Sequence, residues 1–211
     1  MNRRTALALT ALAVATPGLA ANAAETTSPA VPAKVAATKA ALRDLWLGHI
    51  FWARNVEEAR IANNAPRAKA SEQQVVANAK AIAGAIEPFY GKPASDKLFE
   101  LLAGHWGAIS AYLDAAVAGN QAAQETAIQK INANADQIAK FLGGANPHLP
   151  VDTLRSLLVA HGAHHVQQIG QLKAKQYEAE ARTWEAMKNH MYVISDALAT
   201  GIAAQFPDRF R

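Results

Sequence analysis

Leu42-Arg43-Asp44-Leu45-Trp46-Leu47-Gly48-His49, Leu98-Phe99-Glu100-Leu101-Leu102-Ala103-Gly104-His105 and Leu154-Arg155-Ser156-Leu157-Leu158-Val159-Ala160-His161 are three versions of one phrase. Their closing histidines fall at a constant interval of 56 residues. The position 29 residues after each is polar as well: Asn78, Asn134 and His190. Each of these opens a similar apolar series, namely Ile82 and Ile86, Ile138 and Leu142, Ile194 and Leu198. Self-similarity at a fixed period is the mark of a repeated supersecondary unit.

The unit is a helical hairpin. Between the breakers the chain is rich in Ala, Leu, Gln, Glu and Lys, which are good helix formers. Asn63-Asn64-Ala65-Pro66, Gly91-Lys92-Pro93, Gly119-Asn120 and the run from Gly143 to Pro150 interrupt it, and Ser95 and Asp152 stand where N-caps belong. Helices are therefore expected over residues 35–63, 69–89, 94–118, 121–143, 152–174 and 178–205. The fifth break lacks Gly and Pro, since residues 172–182 read Leu-Lys-Ala-Lys-Gln-Tyr-Glu-Ala-Glu-Ala-Arg. The 56-residue interval alone places a turn there, near residue 176. The fold class that follows is all-α: a six-helix up-down bundle of three tandem hairpins.

Two residues of a hairpin lie at one height when they are equally far from its turn. By that rule His49, Asn78, His105, Asn134, His161 and His190 share one layer near mid-helix. Apolar residues at i±3 and i±4 surround each histidine, so all four are expected to face inward. A buried polar layer must find partners, because an unpaired buried group costs ~1–3 kcal/mol. One solution is a structural hydrogen-bond network of imidazoles and amides. The other is a transition metal such as zinc, copper or iron held by His49, His105, His161 and His190, with Asn78 and Asn134 orienting the rings from behind. His165 is an extra candidate, because it lies four residues after His161 on the same helix face, with His164 beside it.

Other chemistry finds less support. Two facing histidines could clamp a non-covalent haem among Trp46, Trp52, Trp106, Phe51 and Tyr112, although aromatics at helical spacing read more simply as core. The zincin phrase is absent, and Glu57, Glu58, Glu100 and Glu185 do not make the Glu-x-x-His pattern of a di-iron bundle. No phosphate loop or nucleophile elbow is visible, so no catalytic residue is assigned. Asp136 reads as a surface or capping carboxylate, and Arg54 as a surface charge. A chain without cysteine has no disulfide, thiolate metal site, lipobox or covalent haem.

Residues 1–23 read as an export signal, with Arg3-Arg4, a short apolar run and the small-x-small site Ala21-Asn22-Ala23. Residues 24–34 read as a tether and 35–211 as the domain. The formal charge of +4 falls to +2 once Arg3 and Arg4 are removed, and no basic stripe suits nucleic acid. The apolar runs are too short for stable membrane insertion. The expected location is the periplasm or beyond, and the expected partner is a metal ion or small ligand.

Several phrases also resemble a bacterial family of exported all-helical proteins with no established activity. They are Leu45-Trp46-x-x-His49-x-x-Trp52-x-Arg54-Asn55, Pro88-Phe89-Tyr90-Gly91, Asn134-Ala135-Asp136-x-Ile138 with Ala145-Asn146-Pro147, and the tail Gly201-Ile202-x-x-Gln205-Phe206-Pro207-Asp208-x-Phe210. The likeness spans about residues 42 to 211. It implies an exported helical domain with histidine at 105, 161 and 190, and it treats His164 and His165 as additions. An interaction or sensor domain with a purely structural layer is the alternative function.

Overall fold

A computed structural model describes residues 32–211; the expected signal and most of the tether lie outside the described residues. Six helices follow one another: α1 (Ala33–Ile61), α2 (Ala65–Tyr90), α3 (Lys92–Ala118), α4 (Gln121–Ala145), α5 (Val151–Lys173) and α6 (Tyr177–Gln205). A 3₁₀ turn, Pro207–Arg209, ends the chain. Among the described residues no strand occurs, and no helix is long and apolar enough to cross a membrane.

Each hairpin turn is made in the same way. Asn63, Gly119 and Lys175 adopt left-handed φ of 54°, 71° and 57°. The amide of each bonds back to Arg60, Ala116 and Leu172, and the next amide bonds to Ala59, Ala115 and Gln171. This is the paired closure of a Schellman motif, which satisfies carbonyls that a helix end leaves free. Asn64 and Asn120 then cap the following helices through the amides of Arg67 and Ala123. The turn that lacks Gly or Pro therefore forms where the 56-residue interval puts it.

Consecutive helices pack against each other, and α6 returns to pack on α1, closing a ring. α1, α3 and α5 also touch one another inside that ring. Each of α2, α4 and α6 lies against the two odd-numbered helices beside it. The interior divides into two apolar clusters. One, toward the ends joined by Gly91 and Asn146, gathers Trp46, Ile82, Leu101, Ile138, Leu158, Met191 and Ile194. The other, toward the hairpin turns, gathers Val56, Ile109, Tyr112, Leu113, Ile131 and Ile169. The histidines of α3 and α5 fall between them in sequence, and on α1 only Ile50 of the first cluster follows His49.

The hairpins are clipped at mid-height. Asn78 Nδ2 donates to the Leu45 carbonyl at 2.9 Å, and Asn134 Nδ2 donates to the Leu101 carbonyl at 3.0 Å. His190 Nε2 meets the Leu157 carbonyl at 2.8 Å. Donor and acceptor lie 33 residues apart in all three. Glycine makes room for the amides: a Cβ on Gly48 would stand 2.9 Å from Asn78 Nδ2, and one on Gly104 would stand 3.2 Å from Asn134 Nδ2.

Lys175 carries the one turn conformation that its residue type resists. A non-glycine residue in the left-handed region gives up ~1–2 kcal/mol, and Lys175 is exposed, with no packing to offset this. Lys175→Gly is expected to raise the unfolding free energy by about 1 kcal/mol in urea titration. A loss of stability would show instead that the lysine side chain holds the turn.

Candidate metal centre

His49 on α1, His105 on α3 and His161 and His165 on α5 are buried and face a single point. One ring nitrogen from each lies within 4.8 Å of the other three. The ring centres are 5.6 Å apart for His49 and His161, 5.4 Å for His105 and His161, and 6.1 Å for His49 and His105. His165 stands 4.7 Å from His161, 6.0 Å from His49 and 6.2 Å from His105. The sequence explains the convergence: three residues at one height on three mutually touching helices meet at the axis, and the fourth enters one turn further along α5.

The set differs from the expected one at a single position. His49, His105 and His161 come together as their spacing implies. His190 does not join them; its ring is half-buried and turned to the Leu157 carbonyl, where it does what Asn78 and Asn134 do in their own hairpins. Equal height put His190 in the layer, but α6 belongs to the outer set of helices. His165, the extra candidate, supplies the fourth ring. Asn78 and Asn134 hold backbone carbonyls through Nδ2, and the Asn134 amide also lies beside the His105 ring, where it raises that ring's proton affinity.

Behind His165 lies a carboxylate that its sequence context assigned to no site. Glu57 on α1 is fully buried, and its Oε1 is 3.0 Å from His165 Nδ1. A carboxylate that accepts from Nδ1–H leaves Nε2 as the atom directed at the centre, the usual way of fixing a ligand's tautomer. Glu57 stands in no Glu-x-x-His phrase, because it and His165 meet across α1 and α5. A signal existed: 56 and 112 residues on from Glu57 stand Leu113 and Ile169, and His165 takes the place held by Ala53 and Ile109.

Arg54 is not the surface charge expected of it. Its guanidinium makes a two-pronged pair with the buried Glu180, at 2.6 and 2.8 Å, and Gln168 donates to the same carboxylate at 2.6 Å. The reason is geometric: α6 closes against α1 and brings Glu180 over Arg54. Asp136 does sit among surface ion pairs, with Lys140 and Arg155. Trp46, Trp106 and Tyr112 are core residues, whereas Phe51 is exposed.

The central imidazoles are held in their uncharged form. Burial, reinforced by the neighbouring His165, pushes the His105 imidazole down to about 3. Burial and then His165 likewise hold His49 and His161 well below the ordinary histidine range. These rings are neutral at pH 7 with lone pairs available, which is the form a metal requires. Both nitrogens of His105 and of His161, with Nε2 of His49 and of His165, are buried without a protein partner. No two of these imidazoles are joined by a hydrogen bond. The four-histidine group could hold a metal ion. Comparison with family models, with curated proteins and with solved structures finds no match to this chain.

The lowered imidazoles make the metal-free fold acid-sensitive. In the unfolded chain these groups titrate near 6.5, so as pH falls the unfolded state takes up protons first. The stability is fully present above that value and is lost below it. With His49, His105 and His161 contributing, the slope should approach about 4 kcal/mol per pH unit in denaturant unfolding of the metal-free protein from pH 7 toward pH 5. A flat profile over that interval would contradict the depressed values.

Proposed function

We propose that this protein is an exported metal-binding helical bundle whose centre is a single ion held by His49, His105, His161 and His165. The observation that carries this reading is the convergence of four buried imidazole nitrogens within 4.8 Å. With metal–nitrogen bonds of ~2.0–2.1 Å, ring centres of a tetrahedral set lie about 5.2 Å apart. The six separations here run from 4.7 to 6.2 Å and bracket that value, so closing the set requires the longest pairs to shorten by about 1 Å. A square-planar set would need four short and two long separations with the long pairs opposite each other, and no pairing of these rings gives that. The arrangement thus favours zinc, or another ion content with tetrahedral nitrogen, over planar copper(II).

Haem suits the site poorly. A macrocycle clamped between two of these rings would displace the other two. Four protein ligands also leave no open coordination position, the feature that separates a binding or structural centre from a hydrolytic one. The role that follows is storage, transport or metal-dependent stabilisation in the compartment that residues 1–23 address.

Tag-free protein should carry or take up one zinc ion per chain by elemental analysis, and His49→Leu should take up none. Saturating zinc at about 1,000 times its dissociation constant should stabilise the fold by about 4 kcal/mol, read as a shift in thermal midpoint. Absence of zinc on isolation, with none acquired from zinc, copper or iron solutions, would leave the layer a packing feature.

Glu57 then sets how well His165 binds. Glu57→Leu, which installs the residue type found 56 positions later, is expected to weaken zinc binding about 10–100-fold in a competition titration with a coloured chelator. Glu57→Gln keeps an acceptor for Nδ1–H and should fall between the two. Unchanged affinity in Glu57→Leu would mean that His165 needs no support.

A further inference from the structure

The buried centre needs a route in, and two histidines outside it lie on one. The rings of His164 on α5 and His190 on α6 face each other with centres 5.3 Å apart. That matches the separation of about 5.2 Å between two imidazoles that share a tetrahedral ion. A carbonyl oxygen only accepts, so the contact of His190 Nε2 with Leu157 O places the proton on Nε2 and leaves the lone pair on Nδ1. His164 is half-buried, and its Nδ1 has no protein partner. The same ring lines an open cleft between α5 and α6, with Gln167, Gln171, Arg182 and Thr183. One residue on from His164 is His165, and three residues back along the same helix is His161.

The other approach to the centre is unsuited to an ion. His49 lines a small pocket between α2 and α3, whose walls are Val75, Val76, Ala79, Ile82 and Phe99. A hydrated cation passing that way would shed water with nothing to replace it. The α5–α6 cleft instead has an imidazole in its wall, that of His164, with the His190 ring next to it. Arg182 puts one positive charge in this cleft, which slows cation entry rather than directing it.

We propose that His164 and His190 form a two-histidine entry site, which takes a divalent cation from the α5–α6 cleft and passes it to His161 and His165. The proposal rests on the four-histidine centre being a metal site. Transfer is ligand exchange alone: bonds from the ion to water, His164 and His190 break as bonds to the central imidazoles form, with no change of oxidation state.

Cobalt(II) loading of the full chain tests this by stopped flow, because a tetrahedral cobalt–imidazole centre absorbs in the visible. His190→Asn keeps a donor for the Leu157 carbonyl, as Asn78 and Asn134 do for theirs, and removes the metal-binding nitrogen. It is expected to load on the order of tenfold more slowly, with the same final spectrum and the same equilibrium affinity. His164→Leu should show the same slowing. Loading of either variant within twofold of the unaltered protein overturns the entry site alone. A parallel loss of affinity in His190→Asn also overturns it, by making His190 part of the centre. An unaltered protein that takes up no cobalt overturns the centre and the entry site together.

Discussion

The cost of removing imidazole nitrogen from water governs this structure. Six ring nitrogens lie in the bundle interior without a protein hydrogen bond. At ~1–3 kcal/mol for each such group, the layer works against a fold whose whole stability is expected to be about 5–15 kcal/mol. Nothing in helix propensity or apolar packing calls for it, because leucine at these positions would satisfy both. An ion that accepted four of these lone pairs would turn the same groups from a liability into bonds.

The rest of the fold serves to keep that layer in register. Apolar clusters above and below it supply the burial that holds α1, α3 and α5 together. The clips from Asn78, Asn134 and His190 to helix carbonyls fix the sliding of each hairpin at the height of the layer. Each accepting carbonyl lies four residues before a central histidine, so an outer helix is locked to the turn that presents the ligand. Gly48 and Gly104, beside His49 and His105, are the small residues that let two of those clips close. Ligand position is thus set by helix register, which is stiff, and little is left to side-chain rotamers.

Much of this was legible in the sequence, because it was written in spacing. Breakers placed most helix ends, and the 56-residue interval placed the turn at Lys175, where composition would have continued the helix. The same interval found His49, His105 and His161. It failed at His190 because spacing reports height and not side: Asn78, Asn134 and His190 lie on helices that stand outside the inner three, and their side chains reach sideways to a carbonyl. The pairings of Glu57 and Glu180 were illegible for another reason. Their partners are 108 and 126 residues away, on α5 and α1, and only the closure of the ring brings them together.

The departures from regularity carry most of the chemistry. Three histidines at one height on three helices would make a flat, three-coordinate layer. His165, about 6 Å further along the α5 axis, lifts one ring out of that plane. It stands where Ala53 and Ile109 stand on the other inner helices, and Glu57 stands where they carry Leu113 and Ile169. The two changes belong together. Four neutral imidazoles offer a divalent ion no compensating charge in an apolar interior, where uncompensated charge is costly. Glu57 brings one negative charge within a single ring of the ion, while Arg54 and Glu180 neutralise each other nearby. One hairpin acquired a ligand and another acquired its counter-charge, and the ring topology joins them.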